Sequence, residues 1–134
     1  MEIANYSDAN DDLLRDLTED IIKAYFKVYN TLGYGFLEQV YQNAMYKELK
    51  KKHDVKPQYD INVYYEGVIV GKYRADIIVD DLVILELKAA NELCEANALQ
   101  LQNYLKATHI EVGLLLNFGR NPEIRRKIFR NENK

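Results

Sequence analysis

Glu86-Leu87-Lys88 closes an otherwise apolar run, Val83-Ile84-Leu85. On extended backbone, residues two apart project from one face. Glu86 and Lys88 therefore stand side by side, while Leu85 and Leu87 face the other way. A carboxylate and an ammonium in such a run cost desolvation energy, and a protein tolerates them when they pair or serve a site. A second carboxylate comes from the preceding segment, where Arg74-Ala75-Asp76 leads into Ile77-Ile78-Val79. In a hairpin that pairs Val79 with Val83, the loop is Asp80-Asp81-Leu82 and Asp76 lies opposite Glu86. A loop one residue shorter would set Asp76 against Leu85 and turn it away from Glu86. Two close carboxylates repel, and one is driven neutral unless a cation joins them. All-oxygen ligands favour Mg2+ or Mn2+ over zinc.

Regular elements must hold these residues in place. Leu17, Ile21, Tyr25, Val28, Tyr29 and Leu32 fall at helical spacing and predict a first helix, stopped by Gly33 and Gly35. Leu37, Val40, Tyr41, Ala44, Met45 and Leu49 predict a second helix, which runs into Lys50-Lys51-Lys52 near His53. Tyr59, Ile61, Val63 and Tyr65 alternate with polar residues and predict a strand, with Glu66-Gly67 as a turn. Residues 68–79 read as a second strand and 82–88 as a third. A helix over 95–108 and a buried, continuously apolar strand over 110–118 follow. Asn117, Gly119, Asn121 and Pro122 break that strand, and residues 124–130 suit a helix or a strand. The expected order is α-α-β-β-β-α-β plus a C-terminal tail. Residues 1–16 read as a loose acidic leader, and 17–134 as a single domain.

An aspartate near the end of one strand, then Glu-x-Lys on the next, in this order of elements, resembles the PD-(D/E)XK nuclease superfamily. Gly35-Phe36-Leu37-Glu38-Gln39-Val40-Tyr41 has the Gly-x-x-Glu-x-x-Tyr form of the small GxxExxY proteins. Tyr73-Arg74-Ala75-Asp76, Glu86-Leu87-Lys88-Ala89, Gln100-Leu101-Gln102-Asn103-Tyr104-Leu105 and the run from Gly113 to Gly119 are similar to that family as well. The similarity extends over residues 17–128. Ala75 stands where the superfamily has its proline, and Asn97-Ala98 where the family often has His-Glu.

The resemblance implies an α/β, restriction-endonuclease-like core: a mixed central sheet flanked by helices. It also implies a divalent-metal-dependent nuclease that hydrolyses phosphodiester bonds of DNA or RNA. Asp76, Glu86 and the main-chain carbonyl of Leu87 would hold Mg2+ or Mn2+, with Glu38 an accessory ligand, direct or through water. Lys88 would orient the attacking water or stabilise the transition state. Gln100 and Tyr104, one helical turn apart on one face, resemble the Gln-x-x-x-Tyr motif of RecB-like nucleases and would position the metal shell or the substrate backbone. Arg120, Arg125 and Arg126, clustered with Lys127 and Arg130, are candidates for phosphate contact.

Composition narrows the alternatives. One cysteine, Cys94, excludes a disulfide framework and a cysteine-rich zinc module. His53 and His109 are too few for a histidine-built zinc centre, and with Cys94 they read as structural or exposed. No apolar run is long enough to cross a bilayer, and no signal region opens the chain, so the expectation is a cytoplasmic protein with no membrane partner. Net charge is −3, with an acid-rich segment at 1–22 and a mildly basic remainder. A polyanion would therefore be met locally. Lys50-Lys51-Lys52 reads as a solvated helix end. A catalytically inactive module of the same fold, binding a partner protein or nucleic acid, is the alternative, and a homodimer stays open. Use of Asp76 and Glu86 as a glycosidase pair is disfavoured by Lys88 beside them and by the lack of tryptophan.

Overall fold

The structure, a computed structural model, describes residues 2–134, with side chains from Asp11 onward. Its elements are α1 (Glu2–Leu32), α2 (Glu38–Leu49), β1 (Val55–Tyr65), β2 (Val68–Val79), β3 (Val83–Lys88), α3 (Glu95–Lys106), β4 (Val112–Phe118) and β5 (Pro122–Ile128). The strands form one mixed sheet in chain order. β3 and β4 are parallel and the other neighbours antiparallel. A parallel pair needs a crossover connection, and α3 supplies it. Among the described residues no helix is long and apolar enough to cross a membrane.

The period of two along β3 sorts its side chains between two cores. Val83, Leu85 and Leu87 pack with Ile21, Tyr25 and Val28 of α1 and with Tyr41 and Met45 of α2. Ile84 faces the other way, with Ile78 and Leu115, against Leu101 and Leu105 of α3. Glu86 and Lys88 share the parity of Ile84, so they emerge on the α3 face. Gly113 lets α3 sit close on β4: a Cβ there would lie 2.7 Å from Leu101 Cδ1.

Two elements differ from the sequence expectation, and the open choice for the C-terminal tail is settled. Residues 2–16, expected as part of a loose leader, are helical and continuous with the rest of α1. Acidic residues near a helix N-terminus are favoured by the helix dipole, and Leu14 is buried in the first core. β1 starts at Val55, before Tyr59. Pro57 and the positive φ of Gln58 hide that stretch, but β1 is an edge strand, where proline costs no ladder bond. The tail after Pro122 is a strand, which closes the sheet beside β4.

Candidate active site

β2 and β3 pair at Ile77↔Leu85, Ile78↔Ile84 and Val79↔Val83, the longer-loop register. Asp80 and Asp81 turn the chain, both at φ 54, a left-handed conformation that aspartate tolerates better than most residues. The pairing stops at Ile77: beyond it Ala75 packs in the α3-side core while Leu87 packs in the α1-side core, so the two strands no longer share a register. The regular ladder ends there because carboxylates take the main-chain donors. The Leu87 N–H donates to Asp76 Oδ2 at 2.8 Å, and the Asp76 N–H donates to Glu86 Oε2 at 2.8 Å. The two strands splay, and each acid is held by a backbone donor. A residue's N–H and C=O point to the same strand edge, so the Leu87 carbonyl also faces this opening.

Glu86 is 4% exposed. Burial, and then the neighbouring charge of Asp76, push its carboxyl up to about 8. Asp76 is raised as well, again mainly by burial. Lys88 opposes both shifts, while Glu38 adds to both. The Tyr104 hydroxyl is pushed up to about 12 by burial and then by Glu86 and Asp76. Asp76 and Glu86 thus feel the charges of Lys88 and Glu38, and Tyr104 feels those of the two acids. Gln100, one turn before Tyr104 on α3, lines the same groove as Tyr104.

Glu38 owes its place to the glycine and tyrosine around it. Gly35 has φ 111, a conformation that strains any other residue. Tyr41 is fully buried; its hydroxyl donates to the Gly33 carbonyl at 2.7 Å and accepts the Phe36 N–H at 3.2 Å. Its ring stacks on Phe118 with centroids 4.3 Å apart. The loop before α2 is thereby fastened to the end of β4, and the first residue of α2 is the acid.

The arginines divide. Arg125 is engaged: its guanidinium reaches Glu123 Oε2 at 3.2 Å and the Leu93 carbonyl at 3.3 Å, so it braces the chain after β3 instead of offering a free cation. Arg126 pairs with Leu114, a residue of the α1-facing core, and so projects from the sheet face opposite Glu86. Arg120 is exposed, 6.0 Å from the Tyr34 ring, and follows Gly119 at the end of the sheet where Lys88 lies. His53 sits at the other end, where it bridges Asp80 at 2.7 Å and Asp20 at 3.1 Å.

Asn117, expected to break the strand, lies inside β4, and with Gly119 and Glu123 it clamps the segment after Lys88. Asn117 is fully buried; its Oδ1 accepts the Ala90 N–H at 3.0 Å and its Nδ2 donates to the Ala90 carbonyl at 2.9 Å. A Cβ on Gly119 would lie 1.9 Å from that carbonyl oxygen. Glu123 accepts the Leu93 N–H at 3.1 Å. An asparagine inside the run Leu114-Leu115-Leu116-Asn117-Phe118 was the available signal, because a buried amide must find partners.

The donor set suits a hard divalent cation. Among the described residues, no three Asp, Glu, His or Cys side chains converge on one point. Glu38 therefore contributes charge to the site and is not part of a converged ligand cluster. Asp76 and Glu86 each spend one oxygen on a backbone donor, and with the Leu87 carbonyl they offer oxygen ligands only. A buried acid pair that holds a surplus proton is also what a cation would replace.

No curated protein matches the chain. One solved structure, the crystal structure of SSO0001, shares the fold at a TM-score of 0.58 and 18% identity. The match covers 69% of this chain and spans half the length of that one. A family model described as the PD-(D/E)XK nuclease superfamily matches residues 15–128. The chain, with its acid pair at a splayed hairpin and a lysine two residues on, belongs to the PD-(D/E)XK nuclease superfamily.

Proposed function

We propose that the protein is a nuclease that hydrolyses nucleic-acid phosphodiester bonds with Mg2+ or Mn2+, held by Asp76, Glu86 and the Leu87 carbonyl. The observation that carries this reading is the pair of crossed hydrogen bonds that fixes Asp76 and Glu86 at the strand opening. Bound there, the cation would polarise the phosphate and lower the pKa of a coordinated water. Lys88 shares the face of Glu86, and its ammonium orients that water or offsets charge that develops on the phosphoryl oxygens. Tyr104, whose hydroxyl titrates only near about 12, stays a hydrogen-bond donor throughout the working pH range. With Gln100 it positions the substrate backbone. Glu38 draws positive charge toward the opening, and Arg120 meets a flanking phosphate. The free thiol of Cys94 suits a reducing compartment, the cytoplasm.

The test is a cleavage assay on DNA and RNA, single and double stranded, with Mg2+ or Mn2+. Wild type cuts at least one substrate; Asp76→Ala and Glu86→Ala cut none. If no substrate is cut under any of these conditions, the nuclease reading fails. The acidic net charge of −3 favours a second reading, an inactive module that binds a partner protein. That module would show no melting-temperature rise with Mn2+, or the same rise in Asp76→Ala.

A further inference from the structure

A groove of about 790 Å3 opens between the outer half of the β1–β2 hairpin and α3, within the size range of ligand sites. Gln100 and Tyr104 of α3 line it, and Tyr104 also feels the charges of Glu86 and Asp76. Two more rings face it, Tyr64 and Tyr73, 61% and 50% exposed. The Tyr73 ring centroid lies 5.8 Å from that of Tyr104. Asn62 and Asn103 join Gln100 in supplying amides. Among the described residues that line the groove, Lys106 carries the single charge, and its ammonium lies 5.8 Å from the Phe129 ring.

That composition discriminates between nucleic acids. A duplex presents phosphates and hides its base faces in the stack, so a wall that grips it needs rows of lysine and arginine. Unpaired bases present π faces that stack on aromatic rings, and edges that amides can hydrogen-bond. Resting on the nuclease reading above, we propose that the groove takes unpaired bases of a single-stranded stretch on Tyr64 and Tyr73, and delivers the adjoining phosphate to Asp76 and Glu86. Affinity then comes mainly from stacking, and its salt dependence is shallow.

The test is fluorescence anisotropy with a short labelled single strand and a duplex of the same sequence, bound to the full chain in EDTA so that nothing is cut. The single strand binds at least about tenfold more tightly than the duplex, and Tyr64→Ala and Tyr73→Leu each weaken it by about tenfold, the loss of one stacked base. Tyr73→Phe keeps the affinity. Tyr65→Ala, on an exposed ring outside the groove, changes nothing. Tyr64 is exposed, so its variant folds whatever Tyr73→Leu does. Equal or tighter duplex binding, no binding of the single strand, or tyrosine variants that bind like wild type would each overturn the proposal. A cleavage assay separates the two readings. Cutting that is indifferent to the tyrosines sinks the groove and leaves the nuclease. Tyrosine-dependent binding without cutting in Mg2+ or Mn2+ sinks the nuclease and leaves the groove.

Discussion

Glu86→Gln in the metal-free protein exposes the cost of charging the buried acid pair. Glu86 moves from an ordinary value of 4.5 to about 8 on folding. Between those two values the unfolded chain has lost the proton and the folded protein keeps it, so folding takes a proton up. The stabilisation is fully present below about pH 4.5, declines as pH rises, and is gone above about pH 8. The steepest slope is about 1.4 kcal/mol per pH unit, which over this window gives roughly 5 kcal/mol as a ceiling. Asp76 shifts in the same direction, and the two titrate as a pair. Glutamine keeps an oxygen for the Asp76 N–H and never ionises, so the variant is spared this loss. At an unfolding entropy of about 2 cal/mol/K per residue, the difference in melting temperature between variant and wild type grows by up to about 5 °C per pH unit. Calorimetry in EDTA from about pH 5 to about pH 9 reads it directly. The gap widens with pH and levels off once Glu86 is ionised. Parallel curves for variant and wild type would show that burial does not hold a proton on this acid.

Leu87→Ala and Lys88→Ala separate packing from chemistry at adjacent positions. Leu87 is buried, and its truncation costs about 2–5 kcal/mol in denaturant titrations, whereas Lys88→Ala stays folded and loses kcat more than KM. Gly119→Ala forces the segment after β3 off the Ala90 carbonyl and lowers the melting temperature by several degrees; an unchanged value would show that the clamp yields freely. Mn2+ raises the melting temperature of wild type but not of Asp76→Ala, and raises it more near pH 8 than near pH 6 because the ion must displace the proton on Glu86.

The chemistry of the hairpin was legible because side-chain parity on a strand leaves little freedom. With Val79 paired to Val83, Asp76 falls within hydrogen-bond reach of Glu86 and Leu87. The lysine two residues on, the tyrosine after Gly35 and Glu38, and the helix bearing Gln100 and Tyr104 were equally visible. What stayed hidden depends on tertiary partners. Arg125 reads as a free cation until Glu123 and the Leu93 carbonyl are placed beside it. Arg126 reads the same way until the β4–β5 register assigns it a face. The helicity of residues 2–16 rests on continuity with the rest of α1, which an apolar pattern that begins at Leu17 does not reveal. β1 was obscured at Pro57 and Gln58, where local preference opposes an extended edge that the neighbouring strand nonetheless holds.

The short β2–β3 ladder gives the molecule a mechanical character. Past Ile77 the hairpin is joined to the central sheet by carboxylates instead of a regular backbone ladder. The outer hairpin is therefore a lever with its fulcrum at Ile77, and Asp76 sits next to the pivot. Amides of residues 77–79 should exchange with solvent only on global opening, while those beyond Arg74 exchange at lower free energy. A load on Tyr73 in the groove acts on the strand that carries Asp76.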